Sequence, residues 1–288
     1  MSSGKRVDRI IEQGFFLAAL WSVLVAVLIF LFMLVLGLPL LRSGQIFSAL
    51  TRPWLPQAGL FGVYPMIVGT LAIVFLSLYW AFPLSLGVAA LVSVIHPRGF
   101  GRFLKKIVLL MTAIPTVVYG FVGVFLLVPL VQKIFSPQGG MSIFTASLML
   151  ALLICPTMIL IFTDSFESVP RSYHEAVDAL GGSPVQKLCY VLLPCARQGL
   201  VAGLVLGMAR AMGDTLIALM LAGNAVAVPG SFFASARTLT AHIALVTAAD
   251  FDSMEFRTIF VCGLLLYVFT SALIVCTRHW GGEKGARF

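Results

Sequence analysis

The chain has 288 residues, of which 60% are hydrophobic and 10% charged, and its mean hydropathy of +1.05 excludes a soluble globular domain, where charged residues approach a quarter. The net charge of +8 does not point to nucleic acid. The Lys and Arg residues cluster beside apolar runs, and no basic stripe interleaved with aromatics is present to follow a phosphate backbone.

In chain order, Lys5, Arg6 and Arg9 precede an apolar run from Phe15 to Leu40. That run is too long for a signal-peptide core and lacks a small-residue cleavage site, so it is expected to be a retained first span. Further stretches at 63–95, 107–131, 142–162, 199–224 and 256–277 each approach or exceed the roughly 20 apolar residues a crossing needs. Six spans place both termini on one side. That side carries thirteen Lys and Arg residues against five on the other, so the positive-inside rule predicts cytoplasmic termini in a multi-pass protein of the cell (inner) membrane. Pro65, Pro83, Pro115, Pro129 and Pro156 fall within or at the ends of spans, where neighbouring helices and hydroxyl side chains can satisfy freed carbonyls. No internal repeat is evident, which disfavours inverted-repeat secondary carriers.

The longest internal loop, 163–198, contains EAVDALGGSPVQKLCYVLLP, from Glu175 to Pro194. Ser172 stands three residues before Glu175 in a capping-box arrangement, with Pro170 upstream, and Gly181-Gly182 is a helix stop. Ser183, Pro184 and Gln186 begin a second helix expected to run to Pro194. Two partly polar helices joined by a glycine hinge admit two readings: a surface helix packed on the ends of the spans, or an element gripped by a partner.

The fifth span holds the second anomaly. Arg210 lies roughly 16 Å into the predicted helix, near the bilayer midplane, and Asp214 one turn beyond. Each charge costs about 2.5–3.5 kcal/mol at that depth on insertion scales. Gly203, Gly207, Arg210 and Asp214 share one helical stripe facing another helix. Two readings again stand: a self-neutralising Arg–Asp pair that locks packing, or a pathway in which the Arg210 fork holds an oxyanion and Asp214 orients it or releases the anion by competition.

Glu175-Ala176-Val177, three residues, Gly181, nine residues, then Val191-x-Leu193-Pro194 resembles the EAA loop of ABC importer permeases. The resemblance implies an all-α integral membrane protein with the six-helix type I ABC importer permease fold. It also implies coupling to an ATPase through Glu175, Ala176, Gly181, Leu193 and Pro194. "GMARAMGDT" is similar to the Gly-x-x-Arg-Ala-x-Gly-Glu-Thr stretch of phosphate-specific (Pst) permeases, with Asp214 in place of Glu. It implies an anion pathway at Arg210, Asp214 and Thr215. Ala113–Leu130 and Ala234–Leu245 also look like Pst permease segments, the former especially like the C-type subunit. The implied organisation is an N-terminal tail, first span and external loop over 1–62, a permease domain over 63–278 and a cytoplasmic tail over 279–288. The implied partners are a second homologous permease, a cytoplasmic ATP-binding subunit dimer, an external phosphate-binding protein, phosphate and membrane lipid.

The remaining chemistry-bearing residues are sparse. Cys155, Cys189, Cys195, Cys262 and Cys276 lack metal-ligand spacing, and His96, His174, His242 and His279 have no adjacent nucleophile, so neither a metal site nor catalysis is expected. No cofactor is called for, and without a P-loop ATP hydrolysis falls to a partner; the chain is not itself an enzyme. Arg237 and Thr238 are expected as solvated loop residues, with contact to a binding protein or the entering anion as the alternative. Tyr119 and Gly120 either line the pathway or pack. The rival functions are import of another oxyanion (sulfate, molybdate or tungstate), an ion-driven secondary carrier or channel, and a scaffold, which would leave the cost of Arg210 and Asp214 unexplained.

Overall fold

The computed structural model describes residues 2–42, 50–95, 99–135, 139–251 and 253–282, so His96 and Arg98 lie outside the described residues. Among the described residues six helical segments are long and apolar enough to cross a bilayer: Ile11–Gly37, Tyr64–Ile95, Thr116–Ile134, Ile143–Glu167, Pro184–Gly213 and Met254–Val275. In chain order α1 spans Ser2–Arg42, and a small hairpin follows with β1 (Trp54–Leu55) antiparallel to β2 (Leu60–Phe61). Next come α2 (Tyr64–Ala90), α3 (Phe100–Thr112), α4 (Thr116–Val122), α5 (Val128–Ile134) and α6 (Ile143–Glu167). The remainder is α7 (Arg171–Ala179), α8 (Pro184–Lys187), α9 (Leu193–Gly213), α10 (Leu216–Leu221), α11 (Leu239–Val246) and α12 (Met254–Gly282).

The core is built around α6. Ile154, Met158 and Phe162 on this helix are fully buried, and α2 and α9 pack against it, with α12 closing over α9. By contrast α1 leans on α12 through Phe30–Tyr267 and Phe32–Phe260 ring contacts and otherwise exposes its apolar surface, as a helix bathed in lipid does. Where α2 and α6 meet, each carries an internal proline, Pro83 and Pro156. At that level polar atoms cross between them: Ser85 Oγ donates to the Cys155 carbonyl at 3.4 Å, and Cys155 Sγ lies 3.8 Å from the Ala81 carbonyl.

Two predicted spans are corrected. The third does not begin at 107: the chain turns at 113–115, because Pro115 adopts an extended conformation and starts α4 afresh, leaving α3 as a separate helix. The fifth begins earlier than 199 and ends earlier than 224. The helix expected to stop at Pro194 continues through a π turn at Leu188–Leu192 into α9. A proline has no N–H and its ring crowds the carbonyl four residues back; in the wider turn Leu193 N donates to Leu188 O instead. The same device recurs, since π turns at Leu91–Ile95, Gly123–Leu127 and Leu188–Leu192 each end two residues before a proline, Pro97, Pro129 and Pro194.

Outside the six spans, α11 packs the hairpin onto the bundle. His242 on α11 is fully buried, with Nε2 3.1 Å from Thr258 Oγ1 and its ring edge-on to Trp54 at 4.5 Å, while Nδ1 has no protein partner. Burial first, and the Arg237 cation second, push the imidazole down from 6.5 to about 4. The unfolded chain therefore takes up the proton before the folded one does. Stability is intact above about pH 6.5 and is lost as pH falls toward 4. Thermal unfolding of the detergent-solubilised protein at pH 7.5 and pH 5 should show a lower midpoint at pH 5, and His242→Gln should flatten that difference.

Candidate functional site

The loop after α6 forms an elbow whose backbone groups are satisfied from both sides. α7 ends in a paired C-cap: Gly182 N donates to Val177 O at 2.9 Å and Gly181 N to Asp178 O at 3.0 Å. Gly181 is at φ 71, a left-handed conformation that a side chain makes costly. The next helix opens with a complete capping box, Gln186 N donating to Ser183 Oγ at 3.3 Å and Ser183 N to Gln186 Oε1 at 2.8 Å. The capping box expected at Ser172 does not form: Pro170, extended, takes the cap position without a side-chain bond, which leaves Ser172 inside the helix.

No residue of α7 is buried by the chain itself. Glu175 and Ala176 are exposed, and Leu180 at the tip is 88% exposed. A helix packed on the ends of the spans would bury its apolar stripe, so the structure argues against that reading. Leu193 is half-buried and Pro194 exposed, both at the start of α9, where the elbow feeds into the membrane.

α9 approaches α6 along small residues. A Cβ at Gly203 would stand 2.7 Å from the Phe162 ring, and one at Gly207 2.7 Å from Met158 Sδ; Gly199 similarly meets Ser165. Arg210 continues this face and donates from Nη1 to Thr157 Oγ1 on α6 at 2.6 Å. Thr157 is ten residues from Glu167 at the end of α6, about 15 Å along the axis, so the guanidinium sits deep in the bundle. Its side chain is nonetheless exposed on the single chain.

Asp214 departs from the predicted stripe. The helix ends at Gly213, and Asp214 is extended at φ −74, ψ 124. Its Oδ1 accepts from Ile217 N at 2.8 Å, and its carbonyl accepts from Thr240 Oγ1 at 3.0 Å. Arg210 and Asp214 form no ion pair; those among the described residues are Lys105–Glu167 and Lys187–Asp178. The self-neutralising pair is thus not present. Thr215, half-buried, occupies the break itself and caps α10 with its carbonyl.

Beyond α10 the chain doubles back. Gly223 and Asn224 are both left-handed, Asn224 Nδ2 donates to Leu219 O at 2.7 Å, and Arg237 Nε donates to Asn224 O at 3.1 Å. Arg237 is half-buried and Thr238 buried as the N-cap of α11, so the solvated loop expected there is replaced by an ordered plug against α2. Burial lowers the pKa of Arg237. Tyr119 and Gly120 are both buried: the Tyr119 hydroxyl donates to Met111 O at 3.1 Å, and Gly120 fits against Met220. The partner that sequence reasoning missed is Thr157, a hydroxyl after an in-span proline that a search for polar residues facing Arg210 could have found. No cluster of His, Cys, Asp or Glu able to hold a metal occurs among the described residues.

Six spans, an elbow uncovered by its own chain and a broken fifth span with an unpaired arginine define a polytopic membrane transport subunit. The chain belongs to the family of binding-protein-dependent transport system inner membrane components, the permease subunits of ABC importers, whose profile matches residues 81–278. It is 35% identical to the probable ABC transporter permease protein YqgH of Bacillus subtilis over 78% of this chain and 73% of that one. Identity is 29% to the phosphate transport system permease protein PstC of Pasteurella multocida, over 78% and 76% of the two chains. For PstC 2 of Mycobacterium tuberculosis it is 27%, over 99% and 94%. Among solved structures, the fold is similar to the inward-facing MetNI methionine ABC transporter (TM-score 0.60, 20% identity, 75% of this chain and 95% of that one). It is also similar to the bacterial alginate ABC transporter in complex with its periplasmic protein (0.62, 16%, 94% and 95%).

The geometry separates the two properties of Asp214. Asp214→Asn keeps an oxygen for Ile217 N and should unfold at the wild-type temperature. Asp214→Ala removes the cap and should lose about 1 kcal/mol, read as a lowered unfolding midpoint in detergent. Equal midpoints for the two variants would show that the cap carries no stability.

Proposed function

We propose that this chain is the PstC-like permease of an ATP-driven phosphate importer, with both termini and the α7 elbow in the cytoplasm. It pairs with a second homologous permease, takes its energy from an ATP-binding subunit dimer docked on α7, and receives phosphate from an external binding protein. The observation that carries the anion pathway is Arg210: deep in the bundle, exposed on the single chain, bonded to a neutral hydroxyl and not to a carboxylate. An unpaired cation at that depth is costly unless an anion or water visits it, and the planar guanidinium suits a tetrahedral oxyanion. The relatives named for phosphate transport favour phosphate over other oxyanions.

In this reading Glu175, Ala176 and Gly181 present the docking helix, Leu193 and Pro194 begin the lever that enters the membrane, and Arg210 is the anion's station. Thr157 orients the guanidinium, and Asp214 and Thr215 hold the break that ends the helix beside it. Pairing with the second permease encloses the exposed Arg210 and converts a surface groove into a pathway. ATP-driven closure of the docked subunits moves α7, and the permease pair alternates its access.

Two outcomes test the reading. With the partner subunits present, Arg210→Gln should reduce phosphate uptake to background while the complex still assembles, and excess sulfate or molybdate should not compete with wild-type uptake; competition would move the substrate to the wider oxyanion class, and undiminished uptake would return Arg210 to packing. Gly181→Val, forced into a left-handed backbone, should insert normally and hydrolyse ATP with uptake reduced at least several-fold, measured as ATP consumed per phosphate imported.

A further inference from the structure

The elbow between α7 and α8 carries an ion pair that neither capping nor the membrane requires. Lys187 Nζ lies 2.6 Å from Asp178 Oδ1, bridging from α8 back to the last turn of α7. The two ends differ in environment: the Lys187 side chain is 14% exposed and the Asp178 side chain 60%. The lysine stem is therefore largely covered while its ammonium reaches a carboxylate at the rim. Around it every backbone donor of the connection is used, by the paired C-cap at Gly181 and Gly182 and by the capping box at Ser183. A four-residue connection so bonded, with Leu180 N also donating to Ala176 O, is not a hinge.

From Pro184 the helix continues without a break through the π turn to Gly213. Arg210 thus stands 26 residues from the elbow, about 39 Å at 1.5 Å per residue. We infer that Lys187 and Asp178 form a strut that fixes the angle between α7 and α8, so that α7, α8 and α9 move as one lever with the docking helix at one end and Arg210 at the other. An ion pair with its carboxylate at the solvent rim contributes little to stability; its effect here is geometric, since a small change of angle at the elbow becomes a large displacement at the far end of the lever. The inference rests on the reading of α7 as the docking helix, but not on which anion is carried.

The decisive experiment reads movement rather than uptake. In the assembled complex with its native cysteines replaced, spin labels at Tyr173 on α7 and Leu206 on α9, both exposed positions, report the distance across the elbow. A rigid lever gives one narrow distribution that is the same with and without bound ATP. Lys187→Gln should broaden or shift it, and the exchanged pair Asp178→Lys with Lys187→Asp should restore it. In proteoliposomes Lys187→Gln should raise the ATP consumed per phosphate imported several-fold, with the exchanged pair returning toward wild type. A Lys187→Gln distribution as narrow as wild type, or an exchanged pair no better than the single variant, would overturn the strut. A wild-type complex that hydrolyses ATP and imports no phosphate would instead overturn the transport reading and leave the distance measurement standing.

Discussion

In hydrocarbon a backbone N–H or C=O without a partner costs several kcal/mol, and no water is at hand to supply one. Chains that cross bilayers usually meet this by remaining helical throughout. This one ends the helix of its fifth span at Gly213, short of the apolar run that continues to Leu221, and side chains take over what the helix abandons: the Asp214 carboxylate accepts from Ile217 N, Thr240 donates to the Asp214 carbonyl, Asn224 to the Leu219 carbonyl and Arg237 to the Asn224 carbonyl. Ser235 closes the set by donating to Ala222 O at 3.1 Å. Asp214, which the resemblance placed in the anion pathway, and Arg237, for which anion contact was the alternative reading, thus both take part in the bonding that allows a non-helical segment to exist near Arg210.

The elements set by local rules were legible in the sequence. Six apolar lengths gave six spans, Ser183-Pro184-Val185-Gln186 gave its capping box, and glycines at 203 and 207 gave a close helix contact. What was not legible depends on long-range partners. The apolar run Leu216–Leu221 continues the hydropathy of α9 without a mark, and the break before it is held by Thr240, distant in sequence. The Arg–Asp pair failed for the same reason: i, i+4 spacing implies proximity only while the helix persists. Pro170 displaced Ser172 as the cap by a local competition, since its own extended geometry already ends the preceding turn.

The elbow and the arginine, separate anomalies in the sequence, are the two ends of one element in the structure. The glycine pair that reads as flexible is bonded into a fixed corner, and the proline that reads as a helix end is carried through by a wider turn. Order at positions usually taken as loose is supplied here by hydrogen bonds rather than by bulk.

The π turn at Leu188–Leu192 also sets a phase. A π turn holds one more residue than an α turn, and each residue advances a helix by about 100°. The direction in which Arg210 points, measured from the elbow, therefore depends on that one additional residue. Shortening the turn by one residue would leave the length, hydropathy and caps of the segment almost unchanged, yet it would swing Gly203, Gly207 and Arg210 away from α6 and carry the guanidinium off Thr157. The local widening that accommodates Pro194 thereby acts as the rotational register between the elbow and Arg210, the two places that the proposed function reads as the docked end and the anion's station.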